Sequence, residues 1–96
     1  MLEAFPPRTE AEATADVRVY IKPDCASCAI TAKVVTEWAA LNKRVALLID
    51  VNSRRELLES YGFKVPVIAV GDRIVGQFDT DLDTLKSKLF AQWTNP

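Results

Sequence analysis

Two cysteines, Cys25 and Cys28, stand between a run of strand-forming residues and a long helical pattern. Residues 17–22, shortly before them, are rich in β-branched and aromatic side chains, which favour a β-strand. Four apolar residues then recur at helical spacing: Ile30, Val34, Trp38 and Leu41. The pattern predicts a strand followed by a helix, with both thiols where the helix opens.

Thiols three residues apart on a first helical turn have α-carbons about 5–6 Å apart, within the range that a disulfide requires. A helix N-terminus also lowers the pKa of a thiol, because it carries partial positive charge and unpaired N–H groups. We expect Cys25 to be the more exposed and more acidic thiol, and Cys28 to be shielded one turn deeper. Lys22 favours a thiolate at Cys25 and Asp24 opposes it. The pair therefore indicates thiol–disulfide exchange.

Composition excludes several other kinds of site. The chain contains no histidine, which rules out a Cys–His nucleophile, a Ser–His–Asp triad and a mixed Cys and His zinc site. Its 96 residues fit one domain, and a net charge of −1 gives no nucleic-acid footprint. We recognise no membrane span and no export signal, so we expect a cytoplasmic protein. In that reducing compartment, a single Cys-x-x-Cys favours redox or metal chemistry over a structural disulfide.

The chain divides near residue 16. Residues 1–16 contain Pro6-Pro7 and no sustained apolar face, and they are predicted to be a flexible arm in which Thr9 to Ala15 could form a frayed turn of helix. Residues 17–96 are predicted to be one folded domain.

Within that domain, the patterns predict the order strand, helix, strand, helix, strand, strand, helix. The first three elements form a right-handed βαβ unit, and residues 45–49 are a continuous apolar run typical of a buried parallel strand. A capping box from Ser53 to Glu56 predicts the start of the second helix. Gly71-Asp72 predicts a hairpin turn. The expected fold is α/β, with a four-stranded mixed sheet and helices on both faces.

This element order resembles the thioredoxin-fold superfamily, together with the Cys-x-x-Cys after the first strand and Val65-Pro66 at the third. Within it, the chain is most similar to small glutaredoxins and glutaredoxin-like proteins over about residues 17–92. The segment Tyr20 to Cys25 and the pair Gly76 and Asp79 belong to the same resemblance. It implies a thioredoxin-like βαβαββα fold and thiol–disulfide oxidoreductase activity.

The resemblance also implies a role for individual residues. Cys25 would be the attacking thiolate and Cys28 the resolving thiol. A cis bond before Pro66 would turn the backbone of Val65 towards an extended peptide or glutathione. The substrate-binding residues implied in this way are Lys22, which would hold a glutathione carboxylate, Asp79, which would receive the γ-glutamyl amine, and Val65, Pro66 and Gly76.

Three departures from the glutaredoxin pattern bear on the electron source. Ala26-Ser27 stands where Pro-Tyr is usual, Gln77 replaces the second glycine of a Gly-Gly pair, and Lys64 replaces a threonine. These changes weaken the case for glutathione as the reductant and leave thioredoxin reductase as an alternative electron source. The expected protein is a monomer without a tightly bound cofactor. Its expected partners are a disulfide-containing protein or glutathione and one of the two reducing systems, with no nucleic acid and no membrane.

Two other functions remain open from the residues alone. One is a metal or iron–sulfur carrier that shares Cys25 across a dimer, since two cysteines cannot complete a four-sulfur site in one chain. The other is an interaction module whose cysteines are vestigial. Metal content distinguishes the first from an oxidoreductase, and a Cys25→Ser variant distinguishes the second.

Overall fold

The computed structural model describes residues 6–78 and 81–94. In chain order, its helices and strands are α1 (Glu10–Thr14), β1 (Val17–Ile21), α2 (Ala26–Leu41), β2 (Ala46–Asp50), α3 (Arg55–Tyr61), β3 (Val67–Val70), β4 (Arg73–Gly76) and α4 (Leu82–Thr94). A short 3₁₀ helix, Val51–Ser53, joins β2 to α3. From β1 onward this is the order that the sequence predicts. Within the described residues, no helix is long and apolar enough to cross a membrane.

The four strands form one mixed sheet in the order β2-β1-β3-β4. β1 pairs in parallel with β2 and antiparallel with β3, and β3 pairs antiparallel with β4. The hairpin turn between β3 and β4 contains Gly71 at a φ of 58°, a left-handed conformation that glycine adopts without a Cβ clash. This architecture confirms the predicted fold class.

One face of the sheet packs against α2 and α4. Alternate residues of β1 point to opposite faces, so Val17 and Val19 lie on this side. The hydrophobic cluster on this side consists of Val17, Val19, Val35, Ile68, Val75, Leu85 and Leu89. Burial of these side chains is the main force that holds the two long helices on the sheet.

The opposite face is covered by the short helix α3 and contains a second cluster: Tyr20, Ile49, Val51, Leu57, Tyr61, Val67 and Ala69. The rings of Tyr20 and Tyr61 are 4.7 Å apart between centroids. Arg18, two residues before Tyr20 on β1, points to the same side and is only 2% exposed. A buried guanidinium requires partners, because an unpaired charge in the interior is strongly unfavourable.

Those partners form a buried polar network of Glu12, Arg18, Tyr20 and Arg54. Arg18 Nε donates to the Tyr20 hydroxyl at 2.9 Å, and that hydroxyl donates to Glu12 Oε2 at 2.9 Å. Arg54 donates to Glu12 Oε1 at 2.7 Å, and Arg18 also donates to the carbonyl oxygen of Gly71 at 3.0 Å. The network therefore connects α1, β1, the N-terminus of α3 and the β3–β4 turn.

The network changes the pKa of two of its members. Burial and the hydrogen bond to Glu12 raise the pKa of Tyr20 to about 12. Burial alone would raise the pKa of Glu12, but hydrogen bonds from the Thr9 backbone, Tyr20 and Arg54 hold it below the ordinary value of 4.5. Glu12 therefore carries its negative charge inside the protein at neutral pH.

The N-terminal segment, predicted to be a flexible arm, contains helix α1 and contacts the rest of the domain. Thr9 and Glu12 form a complete capping box at the start of α1, and Glu12 is only 1% exposed. Arg8 forms an ion pair with Asp72 at 2.6 Å, and Arg54 donates to the carbonyl oxygen of Pro7. Residues 7–12 are thus held against the folded domain by hydrogen bonds and ion pairs with its charged side chains. The division of the chain at residue 16 stays a prediction, and residues 1–5 lie outside the described residues.

Helix α2 is present, but the apolar residues whose spacing predicts it are not its buried face. Ile30 is 56% exposed and Leu41 is 84% exposed, while Trp38 is half-buried. The buried face consists of Cys28, Thr31, Ala32, Val35 and Ala39. The residues on this face are mostly small or β-branched, and of the larger apolar residues Trp38 packs at the edge of the core.

Two further local predictions are wrong. Strand β2 is parallel as expected, but it lies at an edge of the sheet, and Val45 just before it is 61% exposed. The capping box at α3 does not form, since the N-cap residue is Arg54 and makes no side-chain cap. The hydroxyl of Ser53 instead donates to the carbonyl oxygen of Asp50 within the 3₁₀ turn.

Candidate redox site

The cysteine pair lies where β1 has ended and α2 begins. Cys25 is the N-cap residue of α2 and has an extended backbone. Its sulfur accepts a hydrogen bond from the backbone N–H of Cys28 at 3.2 Å. The first N–H groups of a helix have no partner within the helix, so the sulfur occupies the position that a capping oxygen usually takes. This contact, together with the helix dipole, favours negative charge on Cys25 Sγ.

The two cysteines form a disulfide, with their α-carbons 5.1 Å apart. Cys28 is only 1% exposed, whereas Cys25 is partly exposed at the surface. The first sulfur is thus accessible to another molecule, and the second is reached through the first. This asymmetry agrees with the exposure expected from the sequence, while the roles assigned to the two thiols stay predictions.

Ser27 contributes a contact that the sequence reasoning missed. Its hydroxyl oxygen lies 3.4 Å from Cys25 Sγ. Because a disulfide sulfur carries no proton, the hydroxyl is the donor. The signal in the sequence was a serine on the first helical turn, two residues after the N-cap cysteine.

The Val65–Pro66 bond is cis, which confirms the geometry that the resemblance implies. Pro66 is buried and Val65 is half-buried. The antiparallel pairing of Tyr20 with Val67 brings the residues that follow β1 next to those that precede β3. The cis bond is therefore at the same end of the sheet as the cysteine pair.

Lys22 is half-buried on the loop between β1 and Cys25. Its ammonium group lies 5.5 Å from the centroid of the Phe63 ring, a cation–π distance. Phe63 itself is 97% exposed. The backbone N–H of Phe78 donates to the carbonyl oxygen of Lys64 at 3.1 Å, which places a second exposed aromatic residue beside the Val65 segment.

Gly76 is buried at the end of β4 and faces Ile68, close to the start of β3. It therefore belongs to the same end of the sheet as Cys25, Lys22 and Val65. Asp79, the remaining predicted substrate-binding residue, lies outside the described residues. The structure thus brings together every described member of the predicted site, and their binding roles stay predictions.

Across residues 6–78 and 81–94, no group of three or more His, Cys, Asp or Glu side chains is arranged to hold a metal ion. An accessible sulfur with two hydrogen-bond donors, next to a shielded sulfur, is suited to reversible disulfide exchange.

Two solved structures are similar to this fold. A wheat glutaredoxin matches with a TM-score of 0.60 and 22% identity over 82% of this chain and 78% of that chain. A mutated buckwheat glutaredoxin matches with a TM-score of 0.56 and 16% identity over 82% and 80%. At these identities the likeness concerns the fold alone. Among curated protein sequences, none matches the chain significantly.

A family model matches the sequence well beyond the cysteine motif. Residues 16–90 match the model of the glutaredoxin-like domain, DUF836. With the Cys25–Cys28 pair at the helix opening, this match supports thiol redox chemistry in general. The chain belongs to the glutaredoxin-like domain family.

Proposed function

We propose that the chain is a dithiol thiol–disulfide oxidoreductase that reduces protein disulfides or glutathione mixed disulfides. The observation that supports this most directly is the asymmetry of the pair. Cys25 is accessible and its sulfur accepts a hydrogen bond from the Cys28 N–H, whereas Cys28 is buried behind it. A nucleophile needs access to substrate, and a resolving thiol needs access only to the nucleophile.

Reduction proceeds in two exchange steps. The Cys25 thiolate attacks one sulfur of the substrate disulfide, forms a mixed disulfide and releases the other half of the substrate as a thiolate, which takes a proton from solvent. Cys28 then loses its proton to solvent and attacks Cys25 Sγ. This step forms the Cys25–Cys28 disulfide and releases the second substrate thiol, so that two electrons pass from the dithiol to the substrate.

The substrate would bind along the end of the sheet that carries the pair. Val65 would offer its backbone N–H and C=O to an extended segment, next to the cis bond at Pro66. Lys22 would attract a carboxylate, with Gly76 allowing close approach and Asp79 holding an amine. The oxidised protein would be reset by the glutathione system or by thioredoxin reductase.

A coupled assay tests the proposal. The protein is incubated with insulin or with a glutathione mixed disulfide, and NADPH consumption is followed with either glutathione plus glutathione reductase or thioredoxin reductase. We expect turnover with at least one of the two systems, and the system that works identifies the physiological class of reductant. Turnover with neither, under conditions where an established glutaredoxin is active, would contradict the proposal.

The same protein sample tests the alternative of a metal or iron–sulfur carrier that shares Cys25 across a dimer. Metal content, visible absorbance and molar mass are measured on freshly purified protein. A colourless, metal-free monomer is the expected result. A coloured dimer that loses its metal in the Cys25→Ser variant would favour the carrier instead.

A further inference from the structure

Ser27 occupies a position from which it can act on the reacting sulfur. Its hydroxyl lies 3.4 Å from Cys25 Sγ, and the Cys28 N–H approaches the same sulfur at 3.2 Å. The Ser27 side chain is exposed on the first turn of α2, so its hydroxyl is free of packing constraints from the core.

We infer that Ser27 is a catalytic residue that stabilises the Cys25 thiolate by donating its hydroxyl hydrogen to the sulfur. This inference rests on the proposed function and adds to it the group that adjusts the reactivity of the nucleophile. A hydrogen bond to a charged acceptor is stronger than one to a neutral acceptor. The contact seen to the disulfide sulfur therefore strengthens when the bridge opens and Cys25 becomes anionic.

The local backbone keeps the two groups together in both redox states. Cys25 is the N-cap and Ser27 the second residue of α2, so a fixed helical turn connects them. Opening the disulfide removes the bond to Cys28 but does not remove the turn. The serine hydroxyl can then rotate so that its hydrogen points to the Cys25 thiolate sulfur.

Charged groups around the pair do not replace this donor. Lys22 and Asp24 precede the pair on the β1–α2 loop, and Lys64 precedes Val65 on the adjacent segment. The ammonium of Lys22 lies over the Phe63 ring, and Asp24 is exposed to solvent. Helix α2 has no acidic residue in its first turn, and Asp79 lies outside the described residues. The described polar partners of Cys25 Sγ are the Cys28 N–H and the Ser27 hydroxyl.

Stabilising the thiolate has two linked consequences. It increases the fraction of Cys25 that is nucleophilic at neutral pH, and it favours the reduced dithiol over the disulfide. The second effect makes the reduction potential less negative. A residue that only shapes the loop would not move both quantities by the same factor.

The test compares four full-length proteins: wild type, Ser27→Ala, Ser27→Thr and Ser27→Val. Threonine and valine have almost the same shape, but only threonine keeps the hydroxyl, so they form a matched pair. The reduced proteins are alkylated with iodoacetamide from pH 4 to pH 10, and modification of Cys25 is followed by mass spectrometry. The reduction potential is measured against glutathione at a pH where Cys25 is ionised in all four.

We expect Ser27→Ala and Ser27→Val to raise the midpoint of the alkylation profile by about one pH unit, a tenfold loss of thiolate stability. Their potential should fall by about 30 mV, the equivalent of that factor for a two-electron couple. Ser27→Thr should stay close to wild type in both.

Unchanged midpoints in Ser27→Ala and Ser27→Val, or equal shifts in Ser27→Thr and Ser27→Val, would overturn the inference. The proposed function is judged separately, because alkylation does not depend on substrate turnover. If the midpoint shifts as expected while wild type reduces no disulfide, the role of Ser27 in thiolate stabilisation stands and the proposed function fails. If wild type is active and the midpoints do not move, the reverse holds.

Discussion

Two clusters of polar side chains among the described residues, the redox site and the buried polar network, differ in how they are built. The redox pair and Ser27 lie within four consecutive residues at a helix opening, partly exposed and held by backbone geometry. The buried polar network joins residues that are distant in the sequence, since Arg54 and Glu12 are 42 positions apart. In the first cluster, the Cys25 sulfur is accessible for reaction. In the second, the charged side chains bind one another or other groups within the protein.

Polar character alone therefore does not identify a reactive site in this protein. Glu12 and Arg18 are buried and charged, and the pKa of Glu12 is lowered, which are features often sought in active sites. Yet each of their described contacts is to another part of the same chain. We therefore expect changes in the network to alter stability without altering thiol chemistry, and changes in the pair to do the opposite.

The largest effect should come from Cys25→Ser. A serine hydroxyl is not ionised near neutral pH, so disulfide reduction should fall by at least about 1,000-fold in the coupled assay. The stability cost should not exceed about 2 kcal/mol, because the lost bridge closes only a very short loop. Cys28→Ser is the matched variant: it should retain part of the activity on glutathione mixed disulfides and lose activity on protein disulfides. Full activity of Cys25→Ser would show that the redox pair does not carry the chemistry, which contradicts the distinction between the two clusters.

Glu12→Ala should have the next largest effect. It removes the buried carboxylate that accepts from Tyr20 and from the partly exposed Arg54, and leaving these donors without their acceptor should cost about 3 kcal/mol. The free energy of unfolding in urea measures the change. Glu10→Ala, on the same helix but exposed, is the control and should change stability by less than about 0.5 kcal/mol. A large change in the alkylation profile of Cys25 in Glu12→Ala would show that the clusters are coupled.

A smaller loss is expected for Tyr20→Phe. The ring and its packing against Tyr61 remain, but Arg18 Nε loses its acceptor and Glu12 Oε2 loses a donor. Leaving two buried polar groups without this partner should cost about 2 kcal/mol in the same urea titration. A variant as stable as wild type would mean that the hydroxyl adds nothing beyond the ring.

The last effect is a pH dependence that the network imposes on wild type. The pKa of Tyr20 is raised from 10.0 to about 12 on folding, so its contribution is complete below pH 10 and is lost as the pH rises to about 12. The pKa of Glu12 is lowered from 4.5, so its contribution is present above that pH and is lost as the pH falls below it. Unfolding titrations at intermediate and extreme pH should show both losses. Tyr20→Phe should lack the alkaline loss, and an equal loss in this variant would assign it to another group.

The sequence predicts the fold and the redox pair well because both depend on local patterns. Strand and helix periodicity, the Val65-Pro66 dipeptide and the spacing of the cysteines are each visible within a few residues. The buried face of α2 was missed because that helix is apolar on more than one side. Whether Ile30 or Leu41 is buried therefore depends on which side packs against the sheet, and this is decided by tertiary packing. The network was missed for a related reason: nothing near Glu12 in the sequence indicates that Arg54 and Tyr20 will meet it.

The position of Glu12 has a practical consequence for where this protein can be shortened. Family similarity begins at residue 16, after the whole of α1. A recombinant fragment trimmed to that boundary would keep both sulfurs and all four strands. It would also leave the Tyr20 hydroxyl and the Arg54 guanidinium without the carboxylate that accepts their hydrogen bonds. The segment that matches the family model is thus shorter than the segment that this chain uses to complete its buried polar network.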